Sequence, residues 1–399
     1  MNLRPHHIVA KAILSDVDIN HDTVMAIREY LKILKMKTKA SKLFIIVVLV
    51  FCYTGILNGQ NRGTAKVAVI QASSSPRQDP FMADYDPAKV RPQSEFHFNK
   101  LLGLFEQAGK MGADIVCGPE NMHGTGAYGL HIDVIDPENG EILMLSLAIP
   151  VPGPLTDRVA DIARRYKMYI IAPICEREQD KVYNTSVIFD REGNILGKYR
   201  KTVFPVMESW MYSPGNEFPV FETDFATIAI ATCWEIWFPE ITTIYALKGA
   251  DIVFNPTMAR ENKGPGLASA PRYLTRAMDN YIYIAPVILG SNGCGIIDFN
   301  GNVVAEAPGV TDKVIMAEID FSKEPVYDSE WWTIINGTDN HKAIHFLSRR
   351  PETYKLLTEP DPPILKRYRD IHLTTGDRQR QLEAVRKVDY GPKEKKSPK

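Results

Sequence analysis

Residues 226–240 read Ala-Thr-Ile-Ala-Ile-Ala-Thr-Cys-Trp-Glu-Ile-Trp-Phe-Pro-Glu. The first seven are small or β-branched and carry no charge, the composition of a strand buried on both faces. The run stops at Cys233, a helix candidate follows over 239–248, and the junction between them is dense in polar and aromatic groups. In open α/β sheets chemistry gathers just beyond such strand ends.

Two other places in the chain show the same transition. The apolar run 113–118 (ADIVCG) leads into Pro119-Glu120, and a strand over 195–199 leads into Gly197-Lys198-Tyr199-Arg200-Lys201-Thr202. A carboxylate, an ammonium and a thiol therefore each stand at a strand edge. Taken singly, each has an ordinary explanation: a Glu after Pro is most often a surface residue or helix cap, a lone lysine is solvated, and a cysteine after an apolar run is a small buried hydrophobe. Together, in this order, they point to one converging site.

Working outward, short runs rich in Val and Ile recur at 66–71, 169–174, 182–189, 251–255, 281–287, 294–299 and 314–319, bounded by Gly, Pro, Asp or Asn as strands should be. The turn Asp190-Arg191-Glu192-Gly193-Asn194 joins 182–189 to 195–199 as a hairpin. Phe98, Leu101, Leu102, Phe105 and Ala108 recur at helical period, as do Leu155, Val159, Ile162, Ala163 and Tyr166; 239–248 and 271–280 are weaker helix candidates. The expectation is an α/β sandwich, a single domain with helices on its outer faces.

At this point the sequence resembles the nitrilase, or carbon–nitrogen hydrolase, superfamily. The resemblance is carried by Gly118-Pro119-Glu120, by Lys198-Tyr199-Arg200-Lys201 and by Cys233 through Glu240. It is supported by Lys66–Gln71, Gly112-Ala113-Asp114, Gly249-Ala250-Asp251, and Arg276-Ala277 with Asn280. It implies a four-layer α-β-β-α sandwich over residues 64–320 and a Glu-Lys-Cys triad of Glu120, Lys201 and Cys233. Glu208, seven residues past the lysine, matches a second family glutamate. In the chemistry so implied, Cys233 attacks a carbonyl or nitrile carbon and Glu120 relays the protons. Lys201 and the backbone N–H of Trp234 stabilise the oxyanion, and Glu208 holds Lys201. No metal or other cofactor is implied. His123, His131 and Asp133 lie on a Gly-rich loop without ligand spacing.

The substrate is less legible. The family cleaves nitriles, amides and N-carbamoyl compounds, and some members transfer acyl groups. Carbamoylases often carry Arg just after the nucleophile, where this chain has Trp234, Glu235, Ile236 and Trp237; Arg260 is a substitute from another loop. Conversely, His345–Glu352 is similar to the C-terminal segment of those carbamoylases. An amide or N-carbamoyl substrate is expected, with nitrile hydrolysis, acyl transfer and a non-catalytic binding or assembly role as the alternatives. Trp210, Tyr212, Trp234 and Trp237 are candidates for an aromatic pocket, with packing of Trp237 in the core as the other reading. The resemblance further implies a homodimer or larger homo-oligomer.

Composition narrows the rest. With 47 basic and 48 acidic side chains the formal net charge is −1, which excludes a general polyanion binder. Five cysteines cannot make a disulfide scaffold, and Cys117, Cys175 and Cys294 fall in apolar strands as buried thiols, although spacing leaves a disulfide open. Asn184-Thr185-Ser186 and Asn336-Gly337-Thr338 are glycan acceptors only in a host that glycosylates. Lys37, Lys39 and Lys42 precede the apolar run Leu43–Cys52, the pattern of a signal peptide over 36–59, cleaved between Gly59 and Gln60. The run is too short and interrupted for a membrane anchor. Residues 1–35 fit no such scheme and are expected to precede the true start at Met36. The exported product, periplasmic or extracellular, would retain no stable membrane anchor. Residues 321–399 are expected to form an arm with Trp331 and Trp332, lying across the surface or onto a partner chain, and then a charged tail.

Overall fold

The computed structural model describes residues 62–74, 85–122, 134–258, 266–290, 293–307, 309, 312–369 and 371, all within the compact unit Asn61–Lys399. The expected signal peptide, residues 1–35, the charged tail, Arg260, His123, His131 and Asp133 lie outside the described residues.

Thirteen strands run through them: β1 Thr64–Gln71, β2 Ile115–Cys117, β3 Ile149–Pro150, β4 Tyr169–Glu178, β5 Lys181–Phe189, β6 Ile195–Arg200, β7 Phe221–Glu222, β8 Thr227–Ile230, β9 Ile252–Thr257, β10 Tyr283–Ile288, β11 Gly295–Ile297, β12 Val303–Glu306 and β13 Lys313–Asp320. One sheet has the order β13-β1-β2-β4-β5-β6, with β3 beside β4; the other has β12-β11-β10-β9-β8-β7. The centres are parallel, β1 with β2 and β4 in the first sheet and β8 with β9 and β10 in the second. The hairpin expected at 190–194 joins β5 to β6 antiparallel.

The main helices are α1 Pro87–Lys110, α2 Leu143–Leu147, α3 Pro154–Tyr166, α4 Pro239–Leu247 and α5 Pro271–Asn280. The four longer ones all begin on proline, whose fixed φ suits the first turn and whose missing N–H has no partner there to lose. Alternation along β1 shows how the layers form. Val67 and Val69 face the second sheet, in a core shared with Ile228, Ile230, Ile252 and Phe254. Ala68 and Ile70 face outward, onto Phe98, Leu101 and Phe105 of α1 and Val159 and Ile162 of α3. On the far side, α4 and α5 cover Ala229, Val253 and Ile284 through Ile241, Tyr245, Tyr273 and Ala277. The result is helices, sheet, sheet, helices, the four-layer sandwich anticipated from the sequence.

Beyond β13 the chain changes character. Phe321 still stacks on Phe225, and Glu324 pairs with Arg62 at 2.5 Å. The helices α6 Glu330–Asn336 and α7 His341–Leu347 contain no buried residue. From Arg350 to Ile371 every described residue except Pro362 is exposed.

Candidate active site

The parallel centres of both sheets end at the same edge. Glu120 lies three residues past β2, Lys201 one past β6, and Cys233 three past β8. The turn under Glu120 is close-packed. A side chain at Gly118 would begin 3.0 Å from the Phe105 ring, a fully buried residue of α1. Lys201 is fixed through its backbone, its N–H donating to Asn184 O at 2.9 Å and its carbonyl accepting from Gly215 N at 2.8 Å. That approach admits only glycine, because a Cβ at 215 would lie 2.1 Å from the Arg200 carbonyl oxygen. Cys233 opens a short 3-10 helix, Cys233–Trp237, with φ at 52°, and Asn121 beside Glu120 has φ at 54°. Left-handed backbone at such residues costs on the order of 1–3 kcal/mol and clusters at functional sites.

The side chains converge. Cys233 Sγ, one Glu120 oxygen and one Glu208 oxygen lie within 4.8 Å of one another. Lys201 Nζ is 2.6 Å from Glu208 Oε2 and 3.3 Å from Glu120 Oε1. Glu120 also accepts from Asn184 Nδ2 at 2.8 Å and from the Met258 backbone N–H at 3.0 Å. Glu120 and Lys201 are wholly buried, Glu208 is 5% exposed and Cys233 8%.

Burial sets the electrostatics. It disfavours the Lys201 ammonium, but Glu120, the Cys233 sulfur and Glu208 outweigh it and hold the lysine above its ordinary range. Burial, then the charge of Glu120, push the Cys233 thiol up to about 12, against the opposing effects of Lys201 and a hydrogen bond to Thr257. Burial also raises Glu208, with Lys201 opposing. One cation among two carboxylates does not sustain a free thiolate as well, so the resting sulfur is protonated. The cluster supplies a thiol beside a buried carboxylate and a fixed ammonium, the parts needed to add sulfur to a polarised carbon and move its proton. The trio Glu120, Glu208 and Cys233 also has metal-ligand chemistry, but the Lys201 ammonium already contacts two of its members.

The carbon-nitrogen hydrolase family model matches residues 66–324, well over half of the chain. The chain belongs to the carbon-nitrogen hydrolase family. It is an enzyme acting on C–N bonds other than peptide bonds. Over 283 residues it is 29% identical to the citrullinase of Francisella tularensis, covering 64% of this chain and 90% of the relative. Over 250 residues it is 29% identical to an omega-amidase of Xenopus tropicalis, covering 58% and 85%. Among solved structures it matches a mutant of the amidase from Nesterenkonia sp. AN1 with a TM-score of 0.54 at 17% identity, over 74% of this chain and 97% of that one, a likeness of fold.

The four aromatic residues expected to share a pocket fall into two groups in this carbon-nitrogen hydrolase. Tyr212 is buried with its hydroxyl 3.1 Å from Cys175 Sγ, while Trp210 packs on the same small apolar cluster. Both line a cavity of about 330 Å³ that touches none of Glu120, Lys201 and Cys233. Trp234 and Trp237 stack at 4.6 Å in the other group, and the Arg272 guanidinium lies 3.4 Å from the Trp237 ring centroid. Trp237 is 40% exposed, so it is not a core residue. Two further expectations change. Asn184 is 4% exposed and gives its amide to Glu120, so it is a site residue and no glycan acceptor. Cys117, Cys175, Cys233 and Cys294 are free, which closes the disulfide alternative among the described cysteines.

Sequence reading missed Asn184 and the Met258 N–H as partners of Glu120. A polar triplet inside a strand, Asn184-Thr185-Ser186, was the available signal for the first. A backbone donor leaves no signal in residue identity.

Proposed function

We propose that this enzyme hydrolyses a small amide or N-carbamoyl compound through a Cys233 thioester, with Glu120 as proton relay, Lys201 as oxyanion donor and Glu208 holding the lysine. The observation that carries the reading is the meeting of the sulfur and both carboxylate groups within 4.8 Å around one ammonium. Because the thiol is neutral at rest, attack and deprotonation are coupled. Glu120 takes the S–H proton as the C–S bond forms, and the carbonyl oxygen gains charge beside Lys201 and the Trp234 N–H. Collapse breaks the C–N bond, and the departing amine leaves with the proton from Glu120. Water then gives a proton to Glu120 and attacks the thioester, and that proton returns to sulfur as the acid departs. The citrullinase and omega-amidase relatives, matched over 90% and 85% of their own length, support an amide-type bond.

Two further features belong to the same reading. The exposed apolar residues Trp331, Ile334, Leu347, Leu356 and Leu357, each more than 60% accessible, support a homo-oligomer in which residues beyond about 324 meet a second copy. Export after cleavage at Gly59 is supported by the basic and apolar run before it. A thiol held protonated suits an oxidising compartment, since oxidation follows thiolate character.

The test is ammonia release from a panel of primary amides, N-carbamoyl amines and nitriles, with acid quench and intact mass of the enzyme. Turnover of an amide or carbamoyl compound with an acyl adduct on Cys233 is expected. An adduct elsewhere, or turnover of nitriles alone, overturns it.

A further inference from the structure

Glu235 is wholly buried two residues past the nucleophile, and among the described residues it forms no salt bridge. Its carboxylate is satisfied instead by five donors. Oε1 accepts from Tyr199 OH at 2.6 Å, Thr202 N at 2.7 Å, Thr202 Oγ1 at 2.8 Å and Val203 N at 3.2 Å. Oε2 accepts from Thr232 N at 2.7 Å. The Thr232 bond alone is the reach-back half of a capping box at the short helix that Cys233 opens. The other four are not local, for they come from residues 32–36 positions earlier in the chain.

Those donors flank Lys201 on both sides, and Thr232 immediately precedes Cys233. The lysine follows a strand of the first sheet and the cysteine a strand of the second. One carboxylate therefore ties the segment carrying the ammonium to the turn carrying the sulfur, across the seam between sheets. We infer that Glu235 is a positioning residue that sets the distance between Cys233 and Lys201. The inference rests on the reading of those two as reacting groups. Displacements of about 1 Å in such constellations cost on the order of 100-fold in rate.

The carboxylate has no neutral substitute. All five partners donate, so an amide must set its NH2 against donors. The least costly orientation of Glu235→Gln keeps oxygen on the four-donor side and turns Nε2 toward the Thr232 N–H. That choice unhooks the residue before the nucleophile and leaves the lysine side attached. Tyr199→Phe does the reverse in part, removing one of four donors on the lysine side.

The experiment measures kcat, KM, melting temperature and the iodoacetamide alkylation rate of Cys233 in the full chain, for Glu235→Gln, Tyr199→Phe and, as control, Cys233→Ala. Expected are a kcat loss of about 100-fold in Glu235→Gln and about tenfold in Tyr199→Phe. KM should change little, and Cys233 alkylation in Glu235→Gln should differ from that of the parent enzyme. A capping role alone would lower the melting temperature and leave kcat and alkylation at parent values, which overturns the inference. Should Glu235→Gln fail to fold, Tyr199→Phe carries the test by the same criteria. Turnover surviving in Cys233→Ala would instead sink the underlying assignment of the nucleophile.

Discussion

The seam between the two sheets and the segment after residue 324 are opposites. In the seam, Glu120, Lys201, Glu208 and Cys233 are almost wholly withdrawn from water, and the charged groups hold one another or backbone donors. In the last described stretch, from Arg350 to Ile371, almost nothing is withdrawn from water, yet Leu356, Leu357, Ile364, Leu365 and Tyr368 all stand exposed. The seam is determined by the chain itself, because its polar groups can be satisfied only in one arrangement. The arm has no such internal determination, and its apolar side chains gain burial only against another surface.

The sharpest way to break this comparison is at the sulfur. Cys233→Ala should lose on the order of 10⁴-fold or more in turnover while melting with the parent enzyme; equal loss of fold and activity would mean that the seam is structural. Lys201→Met comes next. With the ammonium gone, two carboxylates face each other and share a proton, and kcat should fall about 100- to 1,000-fold. A steady-state rate near that of the parent would remove the lysine from the oxyanion role.

The third prediction concerns pH. Burial holds Cys233 and Cys294 at about 12 and also raises Cys117 well above the ordinary value of 9.0 for the unfolded thiol. A raised thiol pKa means that the unfolded chain loses protons first. The stability from these groups is therefore complete below pH 9 and drains away as pH rises from about 9 toward 12, by up to about 1.4 kcal/mol per pH unit for each thiol. Urea midpoints across that range should fall, and Cys294→Ala should flatten the slope. A parent curve without slope would place the thiols in contact with water. The smallest effect on the fold is expected at the arm. Deleting residues 348–399 should leave the melting of the sandwich nearly unchanged by calorimetry at high concentration, but lower the number of chains per sedimenting particle. An unchanged number of chains would detach residues 348–399 from assembly.

Much of the sandwich was legible because its strands are buried on both faces and so read as continuous Val- and Ile-rich runs between Gly, Pro and Asp. The nine strands expected from such runs, and the tenth implied by the turn at 190–194, are all present, with ends shifted by a few residues. The first half of α1 was hidden for a physical reason. Its buried positions there include Ser94 and His97, which are not apolar by type, and Pro92 interrupts the pattern. Burial pushes His97 down to about 4, so it packs as a neutral ring. The short edge strands β7 and β12 carry too few residues to show a period. At the site, the chemistry-bearing side chains stood out by resemblance and by their place at strand ends. Their supports did not. Glu235 lay in plain view within the cysteine motif, but four of its five donors come from the distant segment 199–203.

One of those supports is a peptide group. Met258 holds Glu120 through its main-chain N–H, a donor that every amino acid except proline carries. Side-chain changes at that position therefore leave the grip on the acid in place, so the sequence there can vary without first dismantling the site.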